Sequence, residues 1–280
     1  MTTPLTGTRR MAGRVAIVTG ASRGIGRSIA EAFAAEGAAV AVAARTLGRG
    51  DDSLPGSLEE TVEAIIAAGG RAIPVVCDVT NDDDLIHLVE IANSELGVID
   101  TLVNNAAATV PGRPGKRPQM PQSDGPARIP TVLDLPLKAV RMQFEVNLFA
   151  PWRLMQLIAP QMCAAGRGWI INIGSEAARM PGFTGAYGSS KLSLEHLTAS
   201  VAAAVGELGL AVNALLPSLP VPTPGLQWVG GGSDREQTPE DFAEAAVLLA
   251  LADPGVTNGR VRHSADVLQP ELGERGWLGG

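Results

Sequence analysis

The 280-residue chain predicts an α/β fold, a doubly wound and mostly parallel sheet in a single domain. Three observations carry this expectation. Short apolar runs alternate with helical stretches, the pattern of right-handed βαβ crossovers. The first of these runs passes through a glycine-rich turn directly into a helix. The composition, 45% hydrophobic with abundant Ala, Val, Leu and Gly, suits a packed α/β sheet rather than a disordered chain.

The first strand is Val15-Ala16-Ile17-Val18, an apolar run that reads as buried. Thr19-Gly20-Ala21-Ser22-Arg23-Gly24-Ile25-Gly26 follows. A helix is then read over 29–36, with Gly37 as its C′ stop. Strand, glycine turn and helix form the context of a dinucleotide-binding motif. Gly20 allows the tight turn, Gly24 lets backbone approach a pyrophosphate, and Gly26 lets the helix pack close to the strand. The helix N-terminus faces the anion, and Ser22, Arg23 and Ile25 complete the cradle.

Further strands are expected at 39–44, 72–76, 101–103, 169–173 and 210–215, with a short one near Val261. Helices are expected over 58–68, 82–96, 139–165 and 186–207. The last helix, 239–252, has Thr238 as N-cap and Pro239 at its first position. Segment 46–57 breaks the pattern. So does 109–136, with six prolines between Pro111 and Pro130 plus Arg113, Lys116, Arg117 and Arg128. The latter is expected as a surface insertion, with a basic lid over the ligand crevice as the functional alternative. The domain is expected over 14–268, after a loose leader at 1–13 and before a tail at 269–280.

Net charge is −7 and the pI about 5.1, which argues against nucleic acid or an anionic membrane as the main partner. Cys77 and Cys163 suggest no disulfide framework, and His87, His196 and His263 show no metal-ligand spacing. No stretch is apolar enough to span a membrane, and the start lacks a signal-peptide core, so a cytoplasmic location is expected.

The one tyrosine, Tyr187, precedes Lys191 by four residues, which places both on one helix face. A free phenol has a pKa of about 10. A nearby ammonium favours the phenolate and is expected to bring that value down toward working pH.

The glycine turn, the Tyr/Lys pair and the landmarks between them resemble the single-domain short-chain dehydrogenase/reductase family, over about 13–267. The resemblance implies a Rossmann-like fold and a set of site residues. Asp78-Val79 would hold the adenine edge. Asn104-Asn105-Ala106-Ala107 would border the adenosine ribose, with Ala107 where the family has glycine. Asn147, Ser175, Tyr187 and Lys191 match the family's catalytic set. Ser175 would hold the substrate oxygen against Tyr187, and Tyr187 would exchange the proton. Lys191 would lower the tyrosine pKa and grip the nicotinamide ribose, and Asn147 would hold a water linking Lys191 to solvent. Ser175 lies about one residue closer to Tyr187 than is usual. Pro217 would line the cofactor site, while Ser218 replaces the family's glycine and an extra residue precedes Thr223, where the family has its amide-binding threonine.

An NAD site of this kind places a carboxylate at the end of the second strand. Here Ala44 and Arg45 stand there, with Arg23 in the glycine turn, and two guanidinium groups suit a 2′-phosphate. Asp51 and Asp52 stand too far along the loop to serve as the missing acid. The expected cofactor is NADP(H), with NAD(H) as second choice. The expected reaction interconverts a small-molecule ketone or aldehyde with an alcohol. Met180, Phe183, Leu219 and Trp228 are candidate apolar walls, and 218–237, which carries Gly230-Gly231-Gly232, is a candidate closing loop. The resemblance also implies a homodimer or homotetramer through 139–165 and 186–207. The alternative function is an NADP(H)-binding regulatory or redox-sensing protein with little turnover.

Overall fold

The computed structural model describes residues 9–48, 54–109, 135–180, 185–228 and 234–270. Most of the Pro-rich insertion, Asp51, Asp52, Phe183, the glycine triplet at 230–232 and the tail from 271 lie outside the described residues, as does the side chain of Trp228.

Seven parallel strands form one sheet in the order β3-β2-β1-β4-β5-β6-β7. They are β1 (Val15–Thr19), β2 (Ala39–Ala44), β3 (Arg71–Val76), β4 (Thr101–Asn104), β5 (Gly168–Ile173), β6 (Leu210–Leu216) and β7 (Val261–His263). The helices are α1 (Gly24–Ala35), α2 (Leu58–Ala67), α3 (Asp82–Glu95), α4 (Leu137–Phe144), α5 (Ala150–Ala165), α6 (Gly185–Val205), α7 (Pro224–Trp228), α8 (Pro239–Leu251) and α9 (Ser264–Leu268).

Strand side chains alternate between the two faces, and each face has its own core. Ala16 and Val18 of β1 join α1, α2 and α8 through Phe33, Ile65 and Phe242. Val15 and Ile17 join α3, α5 and α6 through Leu88, Ile158 and Leu194. All five β1 residues are buried, as a strand covered on both faces requires. Edge strand β3 alternates instead and carries Pro74, which has no N–H to give a ladder and so belongs at an edge. The chain runs outward from β1 to β3, then returns to place β4 on the other side of β1. That reversal opens a crevice beyond the carboxyl ends of β1 and β4, where open α/β sheets bind ligands.

The expected elements are present with shifted ends, and three differences have physical causes. First, α1 starts at Gly24, five residues before the apolar periodicity begins, because the glycine turn feeds straight into it. Second, the helix expected over 139–165 is interrupted by a π turn at Glu145–Phe149, in which the Ala150 N–H donates to the Glu145 carbonyl. Pro151 has no N–H for the Asn147 carbonyl four residues back, so the α ladder cannot run through this point. Third, the leader is packed from Arg9 onward. Met11 is fully buried, its N–H donates to the Glu36 carbonyl, and Arg10 pairs with Glu36 and Glu244. Helices α7 and α9 are too short to leave a periodic signal.

The Ser57 side chain accepts from the Glu60 N–H at 3.1 Å, and the Glu60 carboxylate accepts from the Ser57 N–H at 3.1 Å, a reciprocal cap on α2. Thr61 extends this cap by donating to the Ala21 carbonyl at 3.0 Å, so α2 braces the glycine turn. Ser57→Ala is expected to lower unfolding free energy by about 1 kcal/mol. Chemical denaturation that gives an unchanged midpoint would contradict this.

Candidate active site

The glycine turn is shaped by contacts that exclude a side chain. Gly20 and Gly24 have φ of 65° and 55°, the left-handed region that favours glycine. A Cβ on Gly26 would lie 2.3 Å from Asn105 Nδ2 and 2.5 Å from the Gly20 carbonyl oxygen. Asn105, from the segment after β4, clamps the turn: its Nδ2 donates to the carbonyls of Thr19 at 2.9 Å and Gly20 at 3.2 Å. The backbone N–H groups of Asn105 and Ala106 donate to Thr19 Oγ1 at 3.0 and 3.1 Å. Ala106 and Val79 share a narrow crevice with Thr19, and Ala107 is exposed beside it.

Arg23 caps α1 without a side-chain bond to the first turn, and that turn holds no acidic residue. The N-terminal N–H groups and the positive helix end therefore face the crevice without a protein carboxylate, which suits a pyrophosphate. The Arg23 guanidinium donates to the Gly56 carbonyl at 3.1 Å and reaches Thr46 Oγ1 at 3.5 Å. It therefore reaches the segment that follows β2, where Arg45 is exposed. Asp78 Oδ1 accepts from the N–H and hydroxyl of Thr80, at 3.0 and 2.8 Å, which fixes its carboxylate after β3. Ser22 is buried within the turn.

Ser175, Tyr187 and Lys191 come together at the ends of β5 and α6. The Ser175 hydroxyl accepts from the Ala177 N–H at 3.2 Å and acts on the Tyr187 phenol. Lys191 is buried, its Nζ donates to the Ile173 carbonyl at 2.7 Å, and it stands 6.0 Å from the centre of the Tyr187 ring. Burial pushes the phenol above its ordinary value, and Ser175 pulls it back. The expectation that Lys191 lowers it is not met, because the ammonium is turned to a backbone carbonyl and desolvation dominates. Burial pulls Lys191 itself down to about 8.

Asn147 sits in the π turn, fully buried. Its Oδ1 accepts from the Ala108 N–H at 2.8 Å, and its Nδ2 donates to the Ala108 carbonyl at 3.1 Å and to Ser190 Oγ at 2.9 Å. Ser190 donates to the Tyr187 carbonyl at 2.7 Å. The side chain thus fixes the segment after β4 to the turn of α6 that carries Tyr187. Its direct bond to α6 is to Ser190, the residue before Lys191.

After β6, Pro217 is partly buried. Ser218 uses the hydroxyl that a glycine would lack to accept the Ala265 N–H at 2.9 Å, at the start of α9. Ser264 donates to Gln237 Oε1 at 2.7 Å, and the Gln237 N–H donates to the Pro220 carbonyl at 3.0 Å. The two ends of the 218–237 loop are thereby fastened together. Thr223 packs on Gly24, whose Cβ would lie 3.1 Å from Thr223 Cγ2, so the extra residue before it does not keep Thr223 from the crevice. Met180 and Leu219 are exposed. Sequence reasoning did not single out Arg179 and Glu195, which pair beneath Ser175. Only the four-residue spacing of Glu195 from Lys191 hinted at its place.

A family model for short chain dehydrogenases matches residues 14–227. The chain is 35% identical over 264 residues to the 7alpha-hydroxysteroid dehydrogenase of Escherichia coli (strain K12), covering 90% of this chain and 92% of that protein. Among solved structures it is similar to a 7 alpha-hydroxysteroid dehydrogenase complexed with NADH and 7-oxo glycochenodeoxycholic acid. The TM-score is 0.74 at 30% identity, over 94% of this chain and 96% of that one. It is also similar to a metagenomic short-chain oxidoreductase in complex with NADP, with a TM-score of 0.71 at 30% identity, over 91% and 98% of the two chains.

Proposed function

Because this chain belongs to the short-chain dehydrogenase/reductase family, we propose that it is an NADP(H)-dependent oxidoreductase interconverting a ketone or aldehyde with an alcohol. The observation that carries the reading is buried Lys191 one turn along α6 from Tyr187, its Nζ 6.0 Å from the centre of the phenol ring, with Ser175 just after β5. The nicotinamide, when bound, supplies or takes the hydride. The glycine turn fits such a dinucleotide, since Gly20 and Gly26 admit no side chain and the first turn of α1 offers N–H groups to a pyrophosphate.

Ser175 and the Tyr187 phenol hold the substrate oxygen between them. A phenol raised by burial stays protonated at neutral pH, so Tyr187 serves as the acid that protonates the nascent alkoxide during reduction. In the oxidative direction the same oxygen takes the alcohol proton. Lys191 supplies positive charge along the face that carries the phenol. Asn147 keeps α6 and the segment after β4 in register.

Arg23, which reaches Thr46 after β2, and exposed Arg45 at the end of β2 support a 2′-phosphate and hence NADP(H). Arg45→Glu is expected to weaken NADPH binding about 10- to 100-fold, while NADH is spared. An unchanged NADPH dissociation constant would remove this assignment in favour of NAD(H).

The hydroxysteroid dehydrogenase relative makes a steroid-type ketone the first substrate class to test, and exposed Met180 and Leu219 suit an apolar one. The half-exposed Phe149, Trp152 and Leu192 on and beside α5 and α6 support a homodimer or homotetramer through these helices. No helix among the described residues is long and apolar enough to cross a membrane, and we place the protein in the cytoplasm. NADPH absorbance followed against aliphatic, aromatic and steroid-type ketones tests the whole reading. Tight NADPH binding with no turnover across the panel would point to a binding protein instead.

A further inference from the structure

Glu195 lies one helical turn beyond Lys191, and the chemistry above makes no use of it. Its side chain is 1% exposed. Burying a carboxylate is costly unless it is paired, and an apolar residue would pack here without that cost. Glu195 is paired: Arg179 Nη1 and Nη2 donate to its two oxygens at 3.1 and 2.7 Å, a two-pronged bond. Arg179 ends the 3-10 turn Glu176–Arg179 that begins immediately after Ser175. The pair therefore ties the turn bearing Ser175 to the helix bearing Tyr187 and Lys191.

Further ionisable groups continue outward from this pair. Arg179 Nη1 is 4.0 Å from Glu176 Oε1, Glu176 meets His263 Nε2 from β7, and His263 Nδ1 is 3.7 Å from Asp266 on α9. Gly174 of the β5 end lies against the Glu195 carboxylate: a Cβ there would stand 3.5 Å from Oε1 and only 2.5 Å from Leu216 Cδ1. Lys191 is faced by Tyr187 and Glu195 from its own helix and by the Ile173 carbonyl from β5.

We propose that Glu195 is a positioning residue: its two-pronged bond to Arg179 holds the Ser175 turn against α6, and its buried carboxylate stands one turn beyond Lys191 as the negative group on that helix face. The role builds on Tyr187 and Lys191 as the proton-transferring pair. Burial alone drives Lys191 toward the neutral amine, and Glu195 is the charge that opposes it. Without Glu195, Lys191 loses its proton at lower pH and with it the positive charge it offers along the Tyr187 face.

The composition allows a direct test. The lysines are Lys116, Lys138 and Lys191. Protein labelled with 13C at lysine Cε gives three resonances, and Lys191 is identified by its loss in Lys191→Arg. In Glu195→Gln, Lys191 is expected to titrate at least about one pH unit below the parent protein. Glu195→Asp, which keeps the carboxylate, should remain nearer the parent. The double variant Arg179→Gln/Glu195→Gln removes both partners of the ion pair, so Arg179 is not left without its carboxylate, and it guards against misfolding of the single variant. It should shift Lys191 in the same direction. A Lys191 midpoint that stays put in either folded variant overturns the proposal. Where turnover is measured, kcat of Glu195→Gln should fall on the alkaline side at correspondingly lower pH. Because the primary readout is the lysine, a shifted midpoint in a protein without turnover would still uphold the Glu195–Lys191 coupling and would count only against the proposed reaction.

Discussion

Tyr187→Phe is expected to abolish most carbonyl reduction, by about 10²- to 10⁴-fold in kcat, with NADPH binding retained. The substitution removes one oxygen from a ring that is half-buried between Ser175 and the rest of α6. Packing is therefore preserved while the proton donor is lost. Burial keeps this phenol protonated, so the loss should be felt most in the reductive direction, where a proton must be given as hydride arrives. The check is NADPH oxidation with a ketone substrate beside a fluorescence titration of NADPH binding. Turnover kept at the parent rate would mean that another group, or solvent, delivers the proton. Binding lost together with turnover would mean that the phenol is structural.

Gly26→Ala should have the largest effect on the cofactor site. The new methyl would sit 2.3 Å from Asn105 Nδ2 and 2.5 Å from the Gly20 carbonyl oxygen. Neither neighbour can yield cheaply. Gly20 is backbone at a left-handed φ, and Asn105 is held by the carbonyls of Thr19 and Gly20. Relief requires α1 to move off β1 or Asn105 to leave its clamp. Overpacking of this kind costs about 1–3 kcal/mol of stability. Displacing the first turn of α1 also moves the N–H groups offered to a pyrophosphate, so NADPH affinity should fall about tenfold or more. Urea denaturation and dinucleotide titration measure the two effects separately. A stable variant with parent affinity would show that the turn has slack that these distances do not reveal.

Much of the scaffold was legible because its signals are local. Ala39–Ala44 reads as a strand from six consecutive small and branched residues, and it is one, buried throughout. Thr238 and Pro239 announce the start of α8, and the Thr238 hydroxyl indeed accepts the Asp241 N–H at 3.1 Å. Gly37 closes α1 with φ of 96°. Tyr187 and Lys191 share a helix face by spacing alone. The π turn at Asn147 was less visible, because an apolar period continues through it and only Pro151 marks the break.

The chain's own order of residues determined the layered α/β architecture, the glycine turn and the grouping of Tyr187 with Lys191, since each depends on periods and turn chemistry acting over a few residues. Only the tertiary structure decided the rest. It turned Ser218 from a missing glycine into a fastening between the 218–237 loop and α9. It paired Arg179 with Glu195 across sixteen residues of sequence. It reversed the expected direction of the Tyr187 pKa, because desolvation and the aim of the Lys191 ammonium depend on what surrounds the helix, and no local pattern records which distant groups arrive there.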